Sequence, residues 1–182
     1  MSETLKAPLA SISRLEGRGM ITLRGDLANP ELQAAVTQLT GVDMVQTRQA
    51  YLSGDRGLAW MSPDELLVFV PAGEVAAALV TLEQSLKDQH HLAVDVSDAR
   101  ALFAIEGASA RDVLAKGAPV DLHPSAFGPG QIRRTRLGQL ACAFWMTSET
   151  RFELVCFASV GHHVDTWQTT AARPGSEVSF LS

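Results

Sequence analysis

The sequence has little of what marks secreted disulfide proteins, membrane-spanning proteins or nucleic-acid-binding proteins. Its 182 residues include two cysteines, which are far from Cys-x-x-Cys spacing. No apolar run approaches the roughly 20 residues that a membrane-spanning helix needs. The formal net charge is −5, from 15 Lys and Arg against 20 Asp and Glu, whereas binding to nucleic acid or an anionic membrane favours the opposite balance. What remains is a mildly acidic globular protein.

The two cysteines predict a reducing compartment. Cys142 and Cys156 lie in the apolar runs LACAFW and LVCFA, which is typical of buried thiols, with a disulfide or a metal site as the alternative. Residues 1–8 carry one Lys and no apolar segment, so we expect no secretory signal there. We therefore expect a cytoplasmic protein.

Motifs for nucleotide binding and nucleophilic catalysis are absent. The sequence has no Walker A motif, no Gly-x-Gly-x-x-Gly and no Gly-x-Ser-x-Gly. The glycine pairs at residues 17–19 and 128–130 are too short, and no helix follows them at once to supply phosphate-binding amides. No pair of carboxylates stands in a convincing acid–base setting. We predict no catalytic residue in this chain.

The histidines do not form a metal-binding pattern. They occur as His90-His91, His123 and His162-His163, and adjacent histidines point in different directions. Zinc sites favour pairs a few residues apart, as in His-x-x-x-His. His90-His91 follows a predicted helix end, where an imidazolium can meet free carbonyls. We predict a structural role for this pair and no metal site.

Helices and short strands alternate along the chain. Asn29-Pro30 is typical of a helix start and Gly41 of a helix end. Apolar runs on either side of residues 17–19 predict a β-hairpin. With 46% hydrophobic residues the chain can bury a sizeable core. The predicted parts are an N-terminal tail, two halves and a C-terminal tail: 1–8, 9–92, 93–172 and 173–182.

The two halves read as a repeat. MITLRG (20–25) aligns with LFAIEG (102–107), which makes Gly25 equivalent to Gly107. ELLVFV (65–70) aligns with FELVCF (152–157), which makes Glu65 equivalent to Phe152. The pattern predicts an α+β fold, in which two βαββα-type units with antiparallel sheets and helices pack into one domain. Chance similarity among amphipathic strands is the alternative.

One segment concentrates positive charge. On the strand predicted for residues 132–137, Arg134 and Arg136 share one face and Arg133 lies on the other. These arginines are candidates for contact with an anionic ligand or with acidic residues of a partner. A charged edge strand that resists aggregation is the alternative. The large aromatics are candidates for the core or an interface, with the core favoured for most: Trp60, Phe69, Trp145 and Trp167.

Several phrases together resemble the gamma subunits of heterotetrameric sarcosine oxidase. They are GLAWMSPDELLVFVP (57–71), VSDARALFAIEG (96–107), ARDVLAKG (110–117) and VDLHPSAFGPG (120–130), of which VDLHPSAF is the most specific. The resemblance covers nearly the whole chain. This family in turn is similar to the folate-binding domain of glycine-cleavage aminomethyltransferases, whose repeated α/β unit agrees with the duplication.

The resemblance implies a role in a complex that demethylates sarcosine oxidatively to glycine, with formation of 5,10-methylenetetrahydrofolate and hydrogen peroxide. It implies alpha, beta and delta subunits as partners, and FAD, FMN, NAD and tetrahydrofolate on those other subunits. Aminomethyltransferases carry a catalytic Asp after a Gly-Gly turn, where this chain has Cys142 and Ala143. Neither side chain can supply a carboxylate. We therefore expect a non-catalytic structural subunit, and no cofactor bound by this chain.

Two other functions stay open on the sequence. One is a free-standing folate-binding protein related to aminomethyltransferases. The other is an interaction domain with an unrelated partner.

Overall fold

In the computed structural model, which describes residues 7–178, ten strands form two antiparallel sheets of five strands each. The first half supplies β1 Ser11–Leu15, β2 Arg18–Arg24, α1 Pro30–Thr40, β3 Ala50–Ser53, β4 Arg56–Ser62, β5 Glu65–Pro71 and α2 Val75–Ser85. The second half supplies β6 Leu92–Asp95, β7 Arg100–Glu106, α3 Ala110–Ala115, β8 Ile132–Leu137, β9 Leu140–Ser148, β10 Arg151–Phe157 and α4 Gly161–Ala171. The α+β class is confirmed. Residues 1–6 and 179–182, which belong to the predicted tails, lie outside the described residues.

The two sheets have the same strand order. The first-half sheet runs β6-β2-β5-β4-β3 and the second-half sheet runs β1-β7-β10-β9-β8. Each sheet therefore takes one edge strand from the other half of the sequence. β1 belongs to the sheet of the second half and β6 to the sheet of the first half, so the sheets do not divide at one point of the chain. The predicted boundary between residues 92 and 93 therefore stays a prediction about the repeat.

The predicted hairpin at residues 17–19 is wrong. β1 pairs with β7, from Ser11 opposite Glu106 to Leu15 opposite Leu102, and β2 pairs with β5 and β6. Gly17 provides a kink with φ +81°. A Cβ on Gly19 would overlap Val75 Cγ2, so this glycine allows β2 to lie close to α2. Turn chemistry alone does not distinguish a hairpin from a crossing between sheets.

The positions of the strands correct one alignment of the repeat. β2 begins at Arg18 and β7 at Arg100, which agrees with the equivalence of Gly25 and Gly107. β5 begins at Glu65 and β10 at Arg151, so the equivalent of Glu65 is Arg151 and not Phe152. An alignment wrong by a single position matches each strand residue to one on the opposite face of the sheet.

The molecule has four layers, in the order helices, sheet, sheet and helices, and a cluster of buried residues lies between each pair of neighbouring layers. Helices α1 and α2 cover the outer face of the first-half sheet, and α3 and α4 cover that of the second-half sheet. The inner faces pack on each other, and there the Phe69 and Trp145 rings lie 5.4 Å apart. Both rings are fully buried, whereas Trp60 and Trp167 are partly buried.

Helix α1 begins and ends as predicted. The Asn29 side chain accepts hydrogen bonds from the Glu31 and Leu32 amides, and Gly41 follows the last turn at φ +71°. These local interactions satisfy backbone groups that the helix itself leaves unpaired.

The pseudo-twofold relation between the halves brings β3 close to β8. Gln49 and Gln131, which are equivalent positions of the two halves, form an antiparallel bridge with each other. The bridge is flanked by two reciprocal hydrogen bonds, from Ala50 N to Gly130 O (2.8 Å) and from Ile132 N to Arg48 O (2.9 Å). The two sheets are thereby joined along this edge.

Candidate functional site

Strand β8 is the edge strand of the second-half sheet and carries the arginines that the sequence singles out. It pairs with β9 along one side. Its other side is anchored at the ends, by the hydrogen bond from Ile132 N to Arg48 O and by one of 2.9 Å from Gly138 N to Gly117 O. Arg134 and Arg136 are exposed and alternate with the partly buried Arg133, as the predicted strand requires.

Five arginines form what we call the basic surface: Arg48, Arg100, Arg133, Arg134 and Arg136. They are a third of the chain's 15 Lys and Arg residues, although the chain as a whole has a net charge of −5. Arg134 lines two adjoining hollows, one with Arg100 and Arg136 and the other with Arg48 and Arg133. The sequence identifies only the three arginines of β8, because Arg48 and Arg100 stand alone in it.

Little negative charge within the described residues balances this surface. Arg134 Nη1 lies 3.6 Å from Glu65 Oε2, but that buried carboxylate also accepts from Arg24 Nη2 at 2.7 Å. Arg136 and Arg48 make no hydrogen bond through their side chains and no ion pair with any residue in 7–178. Since Arg134 is more than half exposed, its ion pair with Glu65 contributes little stability. The positive charge of this surface is therefore largely uncompensated within residues 7–178.

The first hollow, of about 220 Å³, lies between β8 and the end of β10. The Arg100 guanidinium stacks on the Phe157 ring at 4.2 Å from its centroid, and Phe157 is 49% exposed. Arginine beside an accessible aromatic ring is a common composition of protein interfaces. Burial, the largest effect, lowers the pKa of Arg100, and the Glu65 carboxylate opposes that effect.

Cys142 and Cys156 lie opposite each other on β9 and β10 at the base of this hollow. Both are buried free thiols, as the apolar runs predict. Burial raises the pKa of Cys142 to about 12 and that of Cys156 to about 11. Because the thiolate is the nucleophile, neither group is activated for covalent catalysis near neutral pH.

The second hollow, which we call the Arg48 cleft, has a volume of about 480 Å³. Its walls are Arg48, Trp60, Pro119, Val120, Asp121, Ile132, Arg133, Arg134 and Thr135. The Arg133 guanidinium lies 5.2 Å from the centroid of the Phe127 ring, and its Nη1 donates to Ile132 O at 2.8 Å. Burial lowers the pKa of Arg133, and the neighbouring Arg48 charge lowers it further. Three arginines and one aspartate thus line a cleft that also has apolar surface.

The specific motif at residues 120–130 has a structural task beside this cleft. Arg111, which is buried, donates from Nη1 to Leu122 O at 2.9 Å and to Phe127 O at 2.6 Å. It thereby fixes the loop that supplies one wall of the cleft and holds the fully buried Phe127 against Phe144 and Phe152.

Two of the five histidines, His91 and His123, have side-chain partners within the chain. His91 Nδ1 lies 3.0 Å from Gln89 O and its Nε2 lies 3.3 Å from Glu83 Oε2, and His123 Nδ1 lies 2.7 Å from Ser125 Oγ. Because α2 ends at Ser85, Gln89 O belongs to the following turn and is not one of the helix-end carbonyl groups that the sequence predicted as partners. Within residues 7–178, no group of three or more His, Cys, Asp or Glu side chains could hold a metal ion.

Of the three carboxylates that are buried within residues 7–178, Glu65 and Glu153 are paired with arginines, and the third is Asp112 on α3. Glu65 is paired with Arg24, and Glu153 lies 2.6 Å from Arg18 Nη1. Cys142 and Ala143 are buried in β9. No helix of the described chain is long and apolar enough to cross a membrane.

Comparison with known proteins identifies a family. Residues 24–173 match the sarcosine oxidase, gamma subunit family. The gamma subunit of sarcosine oxidase from Corynebacterium sp. strain P-1 is 33% identical over 137 residues, which are 74% of this chain and 66% of that protein. The one from strain U-96 is 32% identical over 74% of this chain and 65% of that protein. The match therefore spans just under two thirds of these two relatives.

Two solved structures share the fold of this chain. A chain of heterotetrameric sarcosine oxidase from Corynebacterium sp. U-96, in complex with pyrrole 2-carboxylate, matches with a TM-score of 0.84 and 25% identity over 96% of this chain and 90% of that one. The glycine cleavage system aminomethyltransferase T from Bartonella henselae matches with a TM-score of 0.64 and 17% identity, over 88% of this chain and 45% of that one. The second match shows a shared fold, as the predicted relation to aminomethyltransferases requires.

Proposed function

Since this chain belongs to the sarcosine oxidase gamma subunit family, we propose that it serves as the gamma subunit of a heterotetrameric sarcosine oxidase. The complex would demethylate sarcosine oxidatively to glycine, with formation of 5,10-methylenetetrahydrofolate and hydrogen peroxide. Its partners would be the alpha, beta and delta subunits. FAD, FMN, NAD and tetrahydrofolate would be bound by those subunits. The free-standing folate-binding alternative is not favoured, because the family and the curated relatives are oxidase gamma subunits.

The contribution of this chain is structural. The observation that supports this most directly is the chemistry of β9: Cys142 and Ala143, at the position where the resemblance implies a catalytic Asp in aminomethyltransferases, are buried and carry no carboxylate. The buried carboxylates Glu65 and Glu153 are neutralised by arginines, so neither is poised as a general base. The chain's role is to complete and stabilise the assembly.

Docking uses the arginines of β8. Arg133, Arg134 and Arg136 lie on an edge strand with little opposing charge from their own chain, which supports contact with an acidic surface of a partner subunit. Such a surface would speed association and would make it sensitive to salt. The two free, buried cysteines support a cytoplasmic, reducing location for the complex.

Co-expression with the other subunits tests this function. The wild-type chain should co-purify with them, and the double variant R134E/R136E should lose most of that association because it places acidic charge where a partner's acidic surface docks. The matched control is K87E, which reverses one exposed charge near the end of α2, on the outer side of the first-half sheet.

Assembly and sarcosine-dependent peroxide production should be measured separately, with and without this chain. Loss of assembly accompanied by a proportional loss of peroxide fits a structural subunit. Turnover of a methylamine or folate substrate by the purified chain alone would contradict the proposal, as would failure of the wild-type chain to associate with a flavin-bearing partner.

A further inference from the structure

Arg48 has a backbone conformation that arginine rarely adopts. Its φ is +63°, and among residues 7–178 all other positive φ values belong to glycines. The equivalent position in the second half is Gly130, whose φ is +82°. The fold requires the same backbone at both places, because Arg48 O and Gly130 O accept the two reciprocal hydrogen bonds beside the Gln49–Gln131 bridge.

The fold explains the backbone at position 48 but does not explain the arginine. Glycine meets the same requirement at position 130 without a steric penalty, whereas a side chain in this region is strained. Residues other than glycine in such strained backbone conformations cluster at functional sites. The Arg48 side chain is exposed and adds nothing to the core.

The surroundings of Arg48 show which chemistry the side chain serves. It lines the Arg48 cleft with Arg133, and neither guanidinium has an ion pair within the described residues. Asp121, the acid in the cleft wall, accepts a hydrogen bond from the His123 amide at 3.0 Å. Trp60, which is partly buried, gives the cleft apolar surface. Arg48, Arg133 and Arg134 outnumber Asp121 in the lining, so a carboxylate attached to an apolar stem fits the positive charge and the apolar wall of this cleft.

We propose that the Arg48 cleft receives a carboxylate side chain from a partner subunit of the oxidase, held by Arg48 and Arg133. This inference rests on the proposed function and adds a specific anchor to the broader contact by β8. A protein partner is favoured over a small molecule because the cleft opens beside Arg134, which also lines the hollow of Arg100 and Arg136, so that one acidic surface could cover both. Arginine and tryptophan are also the residues that most often dominate protein interfaces.

The test uses the opposite effects that R48G should have on stability and on binding. Glycine relieves the strained backbone and removes the guanidinium. We therefore expect a higher melting temperature for the isolated full chain, and an affinity for the co-purified partner subunits weakened by about thirtyfold or more, the usual size of a hot-spot loss. R48N, which tolerates the same backbone, should show the same loss of affinity. R48K keeps a positive charge and the strain, and should bind better than either.

The outcomes separate this inference from the proposed function. If R48G assembles as tightly as wild type, or if its affinity falls only together with its melting temperature, the cleft is not an anchor, although the chain can still be a gamma subunit. If glutarate binds the isolated chain through Arg48 while R48G assembles normally, the cleft is a small-molecule site and the docking inference is wrong. If the wild-type chain fails to assemble, the proposed function fails and this inference with it.

Discussion

Arg18 and Glu153 form an ion pair of 2.6 Å that joins β2 of one sheet to β10 of the other. Only 11% of the Arg18 side chain and 4% of the Glu153 side chain are exposed. The pair lies beside Phe69, whose ring centroid is 5.6 Å from the Arg18 guanidinium carbon. The contact between the two halves therefore combines an apolar centre with a nearly buried charge pair.

Removing one member of this pair should destabilise the protein strongly. E153Q leaves the Arg18 charge nearly buried without its main partner, and we expect the free energy of unfolding to fall by about 3 kcal/mol. The double variant R18M/E153L removes both charges and should recover to within about 1 kcal/mol of wild type. Urea unfolding followed by circular dichroism measures both. A loss below about 1 kcal/mol for E153Q would show that the exposed Asp55, 3.9 Å from Arg18 Nε, is a sufficient partner.

The close approach of β2 to α2 can be tested at Gly19. G19A places a methyl group against Val75 Cγ2, so we expect a loss of about 1–3 kcal/mol. V75A removes the obstructing methyl groups, so G19A should cost less in that background, although Ala72 Cα and Val70 O still lie 3.3 Å from the added Cβ. Gly73 is the control, because no atom beyond its chain neighbours lies within 4 Å of the position of an added Cβ. Additive effects of G19A and V75A in thermal unfolding would contradict the contact.

The buried thiols predict a decline of stability at alkaline pH. The folded pKa values of about 12 for Cys142 and about 11 for Cys156 lie above the ordinary value of 9.0. As pH rises above 9, the unfolded chain therefore loses these protons while the folded chain keeps them. The free energy of unfolding should fall by up to about 1.4 kcal/mol per pH unit for each thiol until the folded pKa is reached.

Comparison with C142A/C156A isolates this effect from the titration of lysines and the tyrosine. The variant should lose the part of the slope between pH 9 and 11 that the thiols contribute, although its stability at neutral pH is lower. In the native wild-type protein at pH 8, iodoacetamide should label neither cysteine, and both should react in urea. Rapid labelling of native protein would show that one thiol is accessible.

Arg111 should be essential for the loop that carries the VDLHPSAFGPG motif. R111M leaves the Leu122 and Phe127 carbonyl groups without their donor, and we expect a loss of about 2–4 kcal/mol. E149A is the matched control: Glu149 lies 3.4 Å from Arg111 Nη2 but is 75% exposed, so its loss should change stability by less than about 1 kcal/mol. Equal effects of the two variants would contradict the role assigned to the carbonyl contacts.

Some features of the site were visible in the sequence and others were not. The run Arg133-Arg134-Thr135-Arg136 is visible in the sequence because its charged residues are close together in the chain, which is unusual on a strand. Arg48 carries no such signal. It reaches the same cleft because the pseudo-twofold relation places it beside Ile132 of the other half.

The two halves contain an equivalent ion pair with its charges exchanged, which a search for matching residues overlooks. Arg24 on β2 forms a cross-strand ion pair with Glu65 on β5. The equivalent pair in the second half, Glu106 on β7 with Arg151 on β10, has the two signs exchanged. The ion pair therefore has the same position in both halves, although the residue types at the two positions are exchanged.

The sequence by itself determined the class of fold, the ends of α1, the equivalence of Gly25 with Gly107 and the family, because each depends on residues close together in the chain. Tertiary structure decided the exchange of β1 and β6, the equivalence of Glu65 with Arg151 and the partners of Arg18. These depend on which faces are buried together and on hydrogen bonds between distant segments. Local preferences set the conformation of a strand, but its place in a sheet follows from the burial that the whole chain achieves.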